Sequence, residues 1–136
     1  MDAALEPTAK ALPLNTTDFA QGVSIVSGSR VTFSNAGKYN LAFSLQLYNS
    51  TNAIRVVKIW LRKNGVNVEW SAGDVYLGRA TETERAIAAW NYFVDVSAGD
   101  YFEIAATSDA TGVSVLADEL SDPKIPSTIL TVNQVG

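Results

Sequence analysis

Between Lys38 and Asn49 the chain alternates without a break. Tyr39, Leu41, Phe43, Leu45 and Leu47 fall on one side, and Asn40, Ala42, Ser44 and Gln46 on the other. Successive side chains of a strand point to opposite faces, so this spacing predicts one long strand with a single core-facing side. The large apolar residues claim that side. Similar runs predict strands over Val23–Ser27, Arg30–Ser34, Ile54–Lys63, Val66–Trp70, Ile87–Val96, Asp100–Thr107, Val113–Ala117 and Ser127–Val135, with a short one near Val75–Leu77. Trp90, Tyr92, Val94 and Val96 share one face of their strand, and Phe102, Ile104 and Ala106 share one face of theirs. Asn64-Gly65 is the pair that a two-residue type I′ hairpin needs, because both central positions take positive φ. No helical period stands out, and no internal repeat of roughly 20–50 residues is present. About nine or ten short strands at this spacing predict an all-β sandwich or barrel.

Two strands carry apolar residues on both sides. Val57, Ile59 and Leu61 point one way, while Val56, Lys58, Trp60 and Arg62 point the other. The last strand offers Ile129 and Val135 on one face and Leu130 and Val132 on the other. A solvated sheet face is normally polar, so a second apolar face implies a cover. One reading packs Trp60 under the 71–85 loop and makes the last strand central in its sheet. The other makes Trp60, Ile129, Leu130, Val132 and Val135 candidates for a subunit interface, where each fully buried large side chain would contribute about 1.5–3 kcal/mol.

Residues 1–16 lack alternation and contain Pro7 and Pro13, which disfavour a continuous helix or a central strand. They divide from a domain over residues 17–136, either as a frayed terminus or as an arm that orders against a neighbour by burying Leu5, Leu12 and Leu14. Ser71–Arg85 is the longest stretch without sustained strand periodicity. It is expected to be an exposed loop. Tyr76, Arg79, Glu82, Glu84 and Arg85 are its candidates for partner contact, against the plainer reading of a solvated connector.

At 136 residues the chain fits one domain, able to bury roughly two-thirds of its unfolded surface. Hydrophobic residues make up 47 % and charged residues 18 %, which argues against disorder. The net charge is −4 and no basic run exceeds Arg62-Lys63, so nucleic acid is not an expected partner. The chain contains no cysteine and no histidine, which removes disulfides, thiolate catalysis, Ser-His-Asp triads and ordinary zinc sites. Carboxylates are available in Asp95, Asp100, Glu103, Asp109, Asp118, Glu119 and Asp122, and glycoside hydrolysis needs two of them about 5–10 Å apart. Most fall in turn segments, where Asp commonly supports local backbone hydrogen bonds. An enzyme is therefore not expected, and neither is a cofactor or a metal. No run approaches the roughly twenty apolar residues of a membrane helix. The start, Met1-Asp2-Ala3-Ala4-Leu5-Glu6, is acidic and lacks the apolar core of a secretory signal, so a soluble protein without membrane insertion is expected.

Three cassettes recur in fixed order: Thr32–Tyr39 running into the long strand, Ile59–Val66 around Asn64-Gly65, and Val96–Phe102 around Ala98-Gly99-Asp100. Together with the closing Ser127–Val132 they resemble the jelly-roll domain shared by C1q and tumour-necrosis-factor proteins over roughly residues 30–135. Ile59–Gly65 and Ala88–Tyr92 resemble most closely the versions found in bacteriophage virion proteins. No collagen-like stalk or membrane anchor accompanies the pattern. Some related domains bind calcium, but no Asp-rich loop of ligand spacing appears here, and that site is not carried over. The resemblance implies a jelly roll that assembles as a compact homotrimer through apolar strand faces. It further implies a virion structural protein, made in the host cytoplasm. Only about twenty residues precede the first expected strand of the domain, with no room for a fibre shaft. The expectation is accordingly a capsid decoration (cement) protein on the capsid surface, bridging subunits of the major capsid protein. The alternative is a receptor-binding knob of a tail fibre or spike, contacting a host surface receptor or glycan through the 71–85 loop.

Overall fold

A computed structural model describes residues 2–81 and 85–136, and it is an all-β sandwich of two antiparallel sheets. In chain order the strands are β1 (Ala3–Leu5), β2 (Lys10–Ala11), β3 (Val23–Val26), β4 (Arg30–Phe33), β5 (Gly37–Asn49) and β6 (Arg55–Lys63). They continue with β7 (Val66–Asn67), β8 (Gly73–Leu77), β9 (Arg85–Val96), β10 (Tyr101–Ser108), β11 (Val113–Val115) and β12 (Thr128–Gln134). Among the described residues no helix is long and apolar enough to cross a membrane.

The first sheet is built on β5. One edge of this strand pairs with β9 from Gly37 opposite Val96 to Tyr48 opposite Arg85. Its other edge is divided between β12, from Tyr39 to Leu45, and β11, from Leu47 to Asn49, with β1 beyond β11. The second sheet runs β3-β4-β10-β6-β7, with β2 also on β10 and β8 also on β6. Alternation places the core as the sequence predicts. Tyr39, Leu41, Phe43, Leu45 and Leu47 are buried on β5, Val57, Ile59 and Leu61 on β6, and Phe102, Ile104 and Ala106 on β10. They interleave as two sheets face to face must.

The Asn64-Gly65 hairpin forms with φ of 51° and 83°, the positive pair that a type I′ turn requires. The return strand is shorter than expected: β7 stops at Asn67, and the segment behind it leaves the ladder. The stretch between it and the next long strand is also less of a loop, since β8 occupies Gly73–Leu77 and β9 begins at Arg85.

The N-terminal segment differs from the expected arm. β1 pairs with β11, β2 pairs with β10, and the Leu12 amide donates to the Ile104 carbonyl at 2.8 Å. Leu5 and Leu12 are each 2 % exposed and pack in the core with Leu47, Val113 and Val115. Leu14 is half-buried against the second core cluster. Residues 3–14 therefore belong to the sandwich of their own chain. The prolines at 7 and 13 sit in the connections, where a missing amide donor is harmless. Leu5→Ala should consequently lower unfolding stability by about 2–5 kcal/mol in a urea titration followed by circular dichroism. A loose arm would leave the midpoint unchanged.

Candidate functional site

Among the described residues, the outer face of the first sheet gathers several exposed large apolar side chains. It is fixed by the β5 register. Because Trp90, Tyr92 and Val94 point inward opposite Phe43, Leu41 and Tyr39, the alternate residues Ile87, Ala89, Asn91 and Phe93 must point outward. Ile87 is 65 % and Phe93 73 % exposed, and on β12 Ile129 is 53 % exposed. Val135, next in the same phase, is also 53 % exposed. Charge stands only at the ends of this face. Arg85 lies over the Tyr48 ring at 4.9 Å, and Lys38 pairs with Asp95 at 3.4 Å. Three asparagines between them bond to one another across three strands. Asn91 Nδ2 donates to Asn40 Oδ1 at 2.8 Å, and Asn40 Nδ2 donates to Asn133 Oδ1 at 3.3 Å. Amides satisfied in this lateral way cost less to cover than amides bonded to water.

The five interface candidates separate in space. Ile129 and Val135 stand on this outer face. Leu130 and Val132 point the other way and pack on the core clusters, so the last strand's second apolar face is simply its inward one. Trp60 lies on the opposite sheet, half-buried. Its indole N–H donates to Asn67 Oδ1 at 2.8 Å, and the Arg62 guanidinium lies 5.7 Å from its ring centroid. Asn67 of β7 and Arg62 of β6 give it part of its cover. Ile87 and Phe93 are the face residues that the sequence reading missed.

The loop candidates also separate. Tyr76 is exposed on β8 of the second sheet, Arg79 is half-buried, and Arg85 stands on β9 of the first sheet. Glu82 and Glu84 lie outside the described residues. The turn-borne carboxylates have local partners. Asp109 Oδ1 accepts the Val56 amide at 3.0 Å, and Asp118 Oδ1 accepts the amides of Leu120 and Ser121 at 3.1 and 3.2 Å. Glu103, 9 % exposed on β10, accepts the Ser29 hydroxyl.

A cleft of about 340 Å³ opens where the free edge of β9 faces the segment after β7. Leu61, Val68, Tyr92 and Phe102 line it, with Lys63, Glu69, Trp70, Phe93 and Asp95 around them. Burial pushes the Tyr92 phenol above its ordinary range, partly offset by a hydrogen bond with Trp90. Its hydroxyl donates to the Ser71 carbonyl at 2.8 Å. At one end of the cleft Asp100 ties two turns together. Its carboxylate accepts the Ser97 amide at 2.8 Å and Asn64 Nδ2 at 3.0 Å, and lies 3.5 Å from Lys63 Nζ. The first of these bonds does most to hold its carboxyl below the ordinary range, followed by the one from Asn64, with Lys63 adding less.

No family model and no curated protein matches this chain.

A carboxyl whose folded pKa lies below its unfolded value contributes stability above the unfolded value, and loses it as pH falls through the folded one. Asp100→Asn should accordingly melt at a lower temperature than the parent at neutral pH. The gap should close as the pH drops below 3.8, the ordinary value for this carboxyl. Thermal scans at stepped pH check both parts.

Proposed function

We propose that this chain is a bacteriophage virion structural protein that works by assembly: a homotrimeric capsid decoration protein with a jelly-roll domain of the C1q and tumour-necrosis-factor type. It would sit on the capsid surface and bridge neighbouring subunits of the major capsid protein. The observation that carries the assembly is the outer face of β9, β5 and β12. Ile87, Phe93 and Ile129 are exposed there around a row of mutually bonded asparagines, with charge only at the margins. Exposed large apolar side chains gathered on one sheet face mark association sites, and amides that bond to one another between them lower the cost of removing water. The three-fold order and the virion setting are supported by the resemblance of the Ile59–Gly65 and Ala88–Tyr92 segments to phage domains. A protein that binds only the assembled shell stabilises that shell by mass action.

Light scattering on the purified protein should give a trimer mass. Phe93→Asp should reduce it to a monomer with a folded circular-dichroism spectrum, because that side chain points away from the core. A monomeric parent would overturn the assembly reading. Immunogold labelling of virions should then place gold over the heads, and gold confined to the tail tip would shift the assignment to a receptor-binding knob.

A further inference from the structure

Trp70 is 101 % exposed and adopts φ of 66°. A bulky residue in the left-handed region is strained, and it persists only where its surroundings impose the conformation. Both flanks here are tied to the core. The Val68 amide donates to the Leu61 carbonyl at 2.9 Å, while Ser71 Oγ donates to the Val68 carbonyl at 2.7 Å and accepts the Leu61 amide at 3.0 Å. Tyr92 holds the Ser71 carbonyl from the other sheet. The turn is a rigid mount that thrusts an indole into solvent beside a cleft with an apolar floor.

The polar groups of this cleft fall into two sets. Lys63, Ser71 and Tyr92 are engaged inside the protein, Lys63 through the Asp95 carbonyl and the Asp100 carboxylate. Among the described residues, the Glu69 carboxylate and the Trp70 indole N–H have no partner. The mouth thus presents an aromatic face, one N–H donor and one free carboxylate, side by side.

We infer that the Trp70 cleft is a carbohydrate site that takes a neutral pyranose with equatorial hydroxyls. Such a ring presents axial C–H groups to the negative face of an indole, and its edge hydroxyls can donate to Glu69, while the in-plane indole N–H is left for a hydroxyl of a neighbouring ring. The volume suits one or two sugar rings. A nucleobase would stack equally well, but its phosphates would meet Glu69 and Asp95, with Lys38 and Lys63 already paired to Asp95 and Asp100. The same argument disfavours acidic sugars. The site uses the open edge of the sandwich and shares only Phe93 with the proposed assembly face.

The test titrates ¹⁵N-labelled protein with cellobiose and with N,N′-diacetylchitobiose, following amide shifts and saturation transfer to the sugar. Shifts should centre on residues 69–71 and the facing end of β9, with transfer strongest to the axial C–H protons. Trp70→Gly removes the ring and relieves the strained φ, so the melting temperature should hold or rise while the apparent Kd rises by about tenfold or more. Glu69→Gln should weaken binding by a smaller factor. Absence of shifts with both sugars overturns the inference, as do shifts that survive Trp70→Gly. A fall in oligomer mass on Trp70→Gly would also overturn it, by showing that a second copy covers the ring.

Discussion

The pairing of β5 with β9 decides what the rest of the molecule can be. Twelve consecutive residue pairs join them, from Gly37 opposite Val96 to Tyr48 opposite Arg85. With a side-chain period of two, a slip of one residue would turn Leu41, Phe43 and Leu45 into water. Aromatic contacts oppose that slip. Phe43 meets Trp90 edge-on at 4.9 Å and stacks on Tyr92 at 5.9 Å, while Tyr39 meets Phe33 of the opposite sheet at 4.5 Å. The same register that buries Trp90 and Tyr92 leaves Ile87 and Phe93 no choice but the outer face. An exposed apolar surface is thus a geometric consequence of a well-determined core.

The turns at one end of the sandwich add a second constraint. Asn64 accepts the Tyr101 amide at 2.9 Å and donates to Asp100, while the Phe33 amide donates to the Asp100 carbonyl at 3.0 Å. Three segments far apart in sequence meet at one aspartate. Lys63 is drawn into this arrangement through Asp100 and the Asp95 carbonyl. Its commitment there leaves Glu69 without a counter-charge, so turn architecture sets the electrostatics of the neighbouring cleft.

Strands with seven or more residues were legible because alternation survives in them, and the core faces of β5, β6, β9 and β10 followed directly. The shortest elements carry no period. β1 and β2 are three and two residues long, and β1 finds its partner in β11 near the opposite end of the chain, a pairing that local pattern cannot express. Two-sided apolarity marks β9 as well as β6. Applied to β9 it would have named Ile87 and Phe93, whereas on β6 it named Trp60, whose cover by Asn67 and Arg62 depends on the hairpin's return path. Trp70 read as the end of a strand because nothing in Val66–Trp70 shows that Ser71 will replace the ladder at Leu61. Asn49 is a related case. It occupies an inward position of β5, and its buried amide bonds to the carbonyls of Ala53 and Gly78 rather than packing with hydrocarbon.

The outer sheet face and the Trp70 cleft differ in the one property that distinguishes a surface suited to burial from one suited to a polar ligand. On the sheet face three asparagines already bond to one another, so covering it removes apolar area from water and leaves fewer amide groups to be paired. In the cleft the donor and acceptor nearest the indole are unspent, and an apolar cover would leave both unsatisfied at a cost comparable to what it gained. A second copy of the chain therefore suits the first surface, and a polyhydroxylated ligand suits the second. Phe93 borders both, exposed on the outer face and forming a wall of the cleft. Assembly through the sheet would bury part of that wall while leaving Glu69 and Trp70, on the other sheet's turn, free to meet solvent.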